Sequence, residues 1–485
     1  MSIKKNYLFF LSFQLLNICL PIITTPFVSK TLMVDGIGRY SVSTAIANYF
    51  VLFGMLGISI YGSRQIAYVR DNQEKVNQTF WEIFMLQFIT MGASITAYCV
   101  YCGFFVSDKN MIVSLVQIIT LCASLIDISW LFAGLENFKK IAVRNIIVKL
   151  SGAILIFSLI REKNDLWLYV MILSLSTLLG QAVMWKEIVG KVSFIKPSLK
   201  NVRVHLLSTL QLWLPTVAIS VYTSMDKVML GYLTSDIQVG LYESSEKVVK
   251  IVTTITTTLA IVTVPRISNI YINNDADKFN SIVKKSFSMV SFIAIPMAFG
   301  IMAVRNTFVK WFFGPGFEDV SKLLVISTFL VITLSWSSIF GKQVLVSCGK
   351  EKYLTLAVSC SAVLNVLLNT ILIVRIQATG AILSSVIAEF TGMFIMMYFA
   401  NKYIKVKSLF KNIPKYFICS GLMYFVSYYA GNGVSNSVLA TLVQVAAGAI
   451  VYLVLMLVTK DPNLSFVIET VQNMFRKRTR ATNSL

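Results

Sequence analysis

Apolar runs of roughly twenty residues follow one another along the whole chain, separated by short polar stretches. Each run is long enough to cross about 30 Å of hydrocarbon as a helix. The pattern predicts about fourteen spans. They fall near 7–31, 38–62, 80–104, 110–135, 141–160, 166–186, 207–230, 238–264, 283–309, 320–341, 353–374, 379–401, 415–431 and 436–459. The thirteenth is the shortest, with about 17 residues before Gly431 and Asn432. No connecting loop is long enough to fold into a domain, so function must lie in what the helices enclose. The expected class is an all-α polytopic membrane protein.

Composition agrees with the pattern. At 56% hydrophobic, 13% charged and a mean hydropathy of +0.73, the chain would present a surface that water cannot solvate and a bilayer can. The net charge of +21 is spread unevenly. With the N-terminus in the cytoplasm, alternate loops place roughly thirty cations inside against about nine outside, so both termini are expected to be cytoplasmic. Topology and anionic lipid headgroups account for the positive charge, and no nucleic-acid partner is expected. The first run, preceded by Lys4 and Lys5, is too long for a signal peptide, contains Pro21 and Pro26, and reads as a retained span. Seven cysteines scattered among the spans read as packing residues. His205, the single histidine, is placed in a basic cytoplasmic loop, and no metal site is expected there.

The chain resembles itself. Gly38-Arg39-Tyr40 opens the second span and Gly240-Leu241-Tyr242 opens the eighth. Arg64 and Glu74-Lys75-Val76-Asn77 follow the former, while Arg266 and Asp277-Lys278-Phe279-Asn280 follow the latter. These echoes predict two pseudo-symmetric six-helix lobes, at 1–190 and 206–405, joined by a basic linker at 191–205. A terminal helix pair at 406–460 and a basic tail at 461–485 complete the chain. Parallel repeats of this kind are a known transporter plan, with substrate held between the halves.

Ionisable residues inside spans are costly and mark cavities or partners. On the eighth span, Glu243, Glu246, Lys247, Lys250 and Thr257 recur at helical spacing, predicting one polar face. A face this long reads as the wall of a wet cavity, cationic in its inner part at Lys250. Mutual neutralisation of the i,i+4 pairs at a helix end is the plainer reading. On the seventh span, Tyr222 and Asp226 share a face, with Lys227 beside them. Lys227 and Glu243 lie nearly equidistant from the turn at Thr234-Ser235, so an ion pair is expected. Gln14 and Asn17 on the first span, and Ser41, Thr44 and Asn48 on the second, form similar stripes. Asp127 and Lys149 each lie about eleven residues from the turn near Phe138, at a shared depth of roughly 15 Å, and are expected to pair. Glu389 has no partner by position, and as a lone buried carboxylate it could carry a proton.

Three groups of residues carry a family resemblance. Pro21-Ile-Ile-Thr-Thr-Pro26, Gly36-Ile-Gly38-Arg39-Tyr40-Ser41 and Tyr61-Gly62-Ser63-Arg64 resemble the N-terminal signature of Wzx-type polysaccharide flippases. Asp226-Lys227 with Leu230-Gly231, Val239-Gly240-x-Tyr242 and Pro265-Arg266 resemble the start of their C-terminal lobe. That family sits in the multidrug/oligosaccharidyl-lipid/polysaccharide exporter superfamily. The resemblance implies two lobes around a central cavity opening alternately inward and outward. It implies a substrate of undecaprenyl-diphosphate-linked oligosaccharide, moved from the cytoplasmic to the outer leaflet of a bacterial plasma membrane. Lys250, Lys247, Arg39, Lys227, Arg64 and Arg266 would then offset the diphosphate charge. Gln14, Asn17, Asn48, Tyr222 and Thr257 would meet sugars. Rival readings are a lipid II flippase, a MATE-type drug exporter, and a membrane glycosyltransferase or polymerase. The last is disfavoured because it needs a carboxylate-bearing outer loop, and the best acidic pair, Glu318-Asp319, sits in a short stretch. No GxxxxGK[ST] motif occurs, so no cofactor is expected and an H+ or Na+ gradient or the membrane potential would drive transport. A polysaccharide polymerase and an initiating glycosyltransferase are candidate partners.

Overall fold

Among the described residues nearly all of the regular structure is helix, and no strand occurs. The computed structural model describes residues 3–190, 192–273, 275–469 and 472. The side chains of residues 3–15 and of a few others, Asn17 and Tyr222 among them, fall outside that description. The elements are α1 (Ile3–Met55), α2 (Ile58–Val69), α3 (Gln73–Phe105), α4 (Asp108–Val116), α5 (Ile118–Leu125), α6 (Ser129–Gly134), α7 (Phe138–Leu159) and α8 (Leu166–Lys186). They continue with α9 (Leu199–Leu233), α10 (Asp236–Ile272), α11 (Ala276–Phe312), α12 (Val320–Ser337), a π-helical turn (Ser338–Val346) and α13 (Glu351–Ala400). The short α14 (Val406–Leu409), α15 (Ile413–Ala430) and α16 (Ser437–Val458) follow.

Among the described residues, ten stretches are long and apolar enough to cross a membrane. Two of them are far too long for one crossing. Cys19–Val69 and Glu351–Ala400 run 51 and 50 residues, about 75 Å of helix against a core of about 30 Å. Each is interrupted where the sequence places a turn between spans. Met33 leaves helical geometry at φ 60° and ψ 176°, as do Ile376–Gln377, with Gln377 at φ 51°. The expected thirteenth span is α15, only 18 residues long. Its four tyrosines, at 416, 424, 428 and 429, lower its hydropathy.

Packing divides the chain into two compact units. The first holds residues 1–243 with 313–316 and 366–381, and the second holds 244–312, 317–365 and 382–485.

In the first unit, Trp130, Phe80, Ile58, Ile66 and Ile83 form a fully buried core. That core stabilises a break in the fourth span. Helix geometry stops after Leu125 and resumes at Ser129, freeing backbone carbonyls inside the membrane. The Gln87 amide on α3, itself fully buried, donates to the carbonyls of Ser124, Leu125 and Asp127 at 2.9–3.0 Å. Its oxygen accepts from Trp130 Nε1 at 3.0 Å. One side chain thus satisfies groups that hydrocarbon would leave bare.

In the second unit, hydroxyls join α10 to α12 and the π-helical turn. Ser245 meets Ser327 and Thr256 meets Ser335, each at 2.6 Å, and the Gln343 amide donates to Thr263 Oγ1. The stretch just after α16 is pinned by buried Asp461, which pairs with Lys415 and accepts from Tyr416 Oη at 3.1 Å.

Candidate functional site

The repeat-related glycines meet. A Cβ on Gly38 would fall on the Asp236 carbonyl oxygen, and one on Gly240 would fall on the Val34 carbonyl oxygen, both far inside van der Waals contact. Helices α1 and α10 therefore cross backbone to backbone, a closeness that only glycine permits.

A polar cluster surrounds this crossing. Asp226, near the end of α9, is 3% exposed and accepts from Tyr242 Oη and from Asn369 Nδ2, each at 2.5 Å. Lys227 Nζ stands 2.5 Å from Glu243 Oε2, with the two side chains only 13% and 16% exposed. Ser41 Oγ donates to the same carboxylate oxygen at 2.9 Å. Pairing and hydrogen bonding let these charges sit in a span at all. Nearby, Arg39 Nε donates to Asn110 Oδ1 at 2.6 Å and its Nη2 to the Lys109 carbonyl, while Lys109 pairs with Asp236 at 3.2 Å.

Further along α10 the chemistry changes. Lys250 Nζ pairs with Glu246 Oε1 at 2.8 Å, yet the lysine side chain stays 59% exposed. Lys247 is half-buried and engaged in interactions of its own. Thr257 is half-buried and turns its hydroxyl back to the Thr253 carbonyl at 2.7 Å. Between Lys250 and Thr257 the polar face is interrupted, because Thr253 is buried within the second unit. The stripe on the second span is split as well. Ser41 reaches Glu243 and Thr44 accepts from Gln117 at 2.8 Å, leaving Asn48 exposed. Arg64 and Arg266 are both exposed, and Arg64 lies over the Tyr61 ring at 5.9 Å. Close to Arg64 in sequence, Arg70 pairs with Glu136 at 2.7 Å, and that hydrogen bond and charge raise the guanidinium pKa. The side chains of Gln14, Asn17 and Tyr222 lie outside the described residues.

Three expectations are corrected. Asp127 does not pair with Lys149. Its carboxylate accepts from the Ser129 backbone N–H at 2.8 Å and hydroxyl at 2.5 Å, capping the start of α6. Depth counting assumed a continuous fourth span, and the break at 126–128 removes that premise. The cation beside it is Arg144, whose Nη1 donates to Ser129 Oγ at 3.0 Å and Gln181 Oε1 at 2.5 Å. Glu389 is buried but not isolated, so it is not a lone carboxylate. His205 lies in α9 rather than in a loop, because that helix already starts at Leu199 within the expected linker. Its Nδ1 meets Tyr61 Oη at 2.7 Å and its Nε2 meets buried Glu82 at 3.2 Å.

Sequence reasoning also missed Asn369. A signal existed, since Asn365 and Asn369 sit one helical turn apart in an otherwise apolar run.

The profile of the family described as polysaccharide biosynthesis protein matches residues 3–271, and that of the MatE family matches 213–371. A protein named as an O-antigen transporter from Escherichia coli strain K12 is 23% identical over 405 residues, covering 83% of this chain and 97% of that protein. Agl15 of Haloferax volcanii, named as a low-salt glycan biosynthesis flippase, is 24% identical over 261 residues, 54% of this chain and 55% of that protein. Among solved structures, the lipid II flippase MurJ in an inward closed conformation superposes with a TM-score of 0.66 at 16% identity, covering 91% of this chain and 99% of that one. An inward-facing MATE family transporter of the MOP superfamily gives 0.57 at 13% identity, covering 80% and 98%. These last two are likenesses of fold.

Proposed function

The chain belongs to the polysaccharide biosynthesis protein family, and on that premise we propose that it is a flippase for lipid-linked oligosaccharide. It takes undecaprenyl-diphosphate-linked repeat units from the cytoplasmic leaflet and delivers them to the outer leaflet of a bacterial plasma membrane. It crosses that membrane about fourteen times with both termini cytoplasmic, as the lysine and arginine bias requires.

The observation that carries the proposal is Lys250. It is an ammonium 59% exposed on a 37-residue apolar span, held at one side by Glu246. A cation kept accessible inside a span suits a ligand that brings negative charge into a region of costly desolvation. A diphosphate is such a ligand. Lys247 and Arg266 add positive charge in the same unit, and Arg64 adds positive charge in the other. Lys227 is different, since Glu243 already neutralises it. With Asp226 and the glycine crossing, that pair serves to hold one end of the path shut. Opening that end in alternation with the other moves the headgroup, while the polyprenyl chain stays in lipid. An ion gradient or the membrane potential drives the cycle, and the polymerase and initiating glycosyltransferase act on either side of it.

The test is a strain lacking this gene. Repeat units trapped on the cytoplasmic leaflet, with surface polysaccharide lost and peptidoglycan synthesis initially intact, are expected. Trapped lipid II with lysis would move the substrate to the peptidoglycan branch. Absence of any trapped lipid intermediate would overturn the proposal.

A further inference from the structure

A crevice of about 260 Å3 opens beside the glycine crossing, within the first unit. Its walls differ in character. One is aromatic: Tyr101 and Phe105 stack with ring centroids 5.9 Å apart, and Tyr101 Oη meets Tyr232 Oη at 2.5 Å. The other is polar, formed by Arg39, Asn110 and Asp236. Arg39 is held by Asn110 and by the Lys109 carbonyl through Nε and Nη2. Among the described residues, its Nη1 donates to nothing. Asp236 is held by Lys109 through Oδ2, and its other oxygen has no hydrogen-bond partner among the described residues.

From this juxtaposition we infer that the crevice is a saccharide subsite, taking one neutral pyranose residue of a glycan. An aromatic wall suits the C–H face of a sugar ring, and a guanidinium and a carboxylate offer planar groups to neighbouring hydroxyls. The wall carries one charge of each sign. A phosphate would meet the Asp236 carboxylate, whereas a polyol uses both groups. The volume lies below the roughly 300 Å3 at which drug-sized sites begin, so it suits a single sugar rather than a repeat unit. That a glycan reaches this end rests on the flippase reading. The binding chemistry does not.

Full-length protein in nanodiscs is titrated with glucose, galactose, rhamnose, N-acetylglucosamine and inorganic pyrophosphate, followed by ligand-observed NMR. At least one pyranose binds saturably, and Ser43→Trp, which fills the crevice and leaves Arg39, Asn110 and Asp236 in place, weakens that binding at least tenfold. A second readout uses Ser107→Cys in a protein whose exposed Cys19, Cys99 and Cys360 are replaced by serine. The bound sugar slows maleimide labelling at least threefold. Binding by no pyranose, binding by pyrophosphate alone, or binding indifferent to Ser43→Trp overturns the subsite. None of these results touches the flippase reading, which stands or falls on the lipid that accumulates in the deletion strain.

Discussion

Two ion pairs lie one helical turn apart on α10 and do opposite things. Glu243 and Lys227 bury each other, at 16% and 13% exposure, and draw in Ser41 from α1. Glu246 and Lys250 also make a close contact, at 2.8 Å, yet the lysine remains 59% exposed. The first pair is spent on structure and can be lost only by breaking a contact across three helices. The second is a local i,i+4 pair, worth a few tenths of a kcal/mol, and leaves its cation available. Charge inside a span is therefore not one signal. Its meaning depends on whether the partner comes from the same helix or from another.

The largest effect should follow from separating the helices that the first pair joins. Gly240→Val drives side-chain carbon into the Val34 carbonyl, so the crossing of α1 and α10 cannot form. Surface polysaccharide should fall to background, with little monodisperse protein on size-exclusion chromatography. Gly421→Ala, on α15 with nothing within 4 Å of the added carbon, is the control and should be silent in both assays. Equal behaviour of the two variants would refute the crossing.

Next comes the buried pair itself. Lys227→Ala removes the ammonium that meets Glu243 Oε2, a loss on the order of 3 kcal/mol for breaking a buried pair from one side. Thermal unfolding in detergent should shift well below wild type, and Glu243→Gln in the same chain should restore part of the loss. Lys250→Ala should leave the melting temperature in place and instead cut export roughly tenfold, or about 1.4 kcal/mol. If Lys250→Ala destabilised the fold as Lys227→Ala does while export per folded molecule stayed normal, the distinction between the two pairs would vanish.

Much of this was legible in the chain, for a physical reason. Apolar length follows from the bilayer, which acts on every span independently. The contact of Lys227 with Glu243 could be counted from one tight turn, because α9 and α10 flank Thr234-Ser235 almost without interruption. The glycine echo was legible only as a repeat, and the close backbone approach at Gly38 and Gly240 belongs to the structure. What failed was depth counting through a span that is not continuous. Nothing in Ile126-Asp127-Ile128 announces a break, since the group that stabilises it, Gln87, lies 40 residues away on α3. The polar stripes failed for a related reason. Helical spacing shows which residues share a face, but not whether a neighbour such as Gln117 or Ser335 already meets that face.

The smallest expected effect sharpens that last lesson. Asp127 acts as a cap, so Asp127→Ala should cost about 1 kcal/mol, the usual loss at a helix start. Asp127→Asn keeps an accepting oxygen and should cost less. Because Asp127 and Lys149 do not pair, Asp127→Ala and Lys149→Met should add in a double-mutant cycle to within about 0.5 kcal/mol. Asp127→Ala with Arg144→Met should not add, since both act on Ser129. The cycle is read by thermal unfolding of the full-length protein. A coupling of 1 kcal/mol or more between Asp127 and Lys149 would restore the continuous fourth span. Coupling confined to Arg144 would place the local charge balance of this segment at the break, where a cap and a guanidinium share one serine.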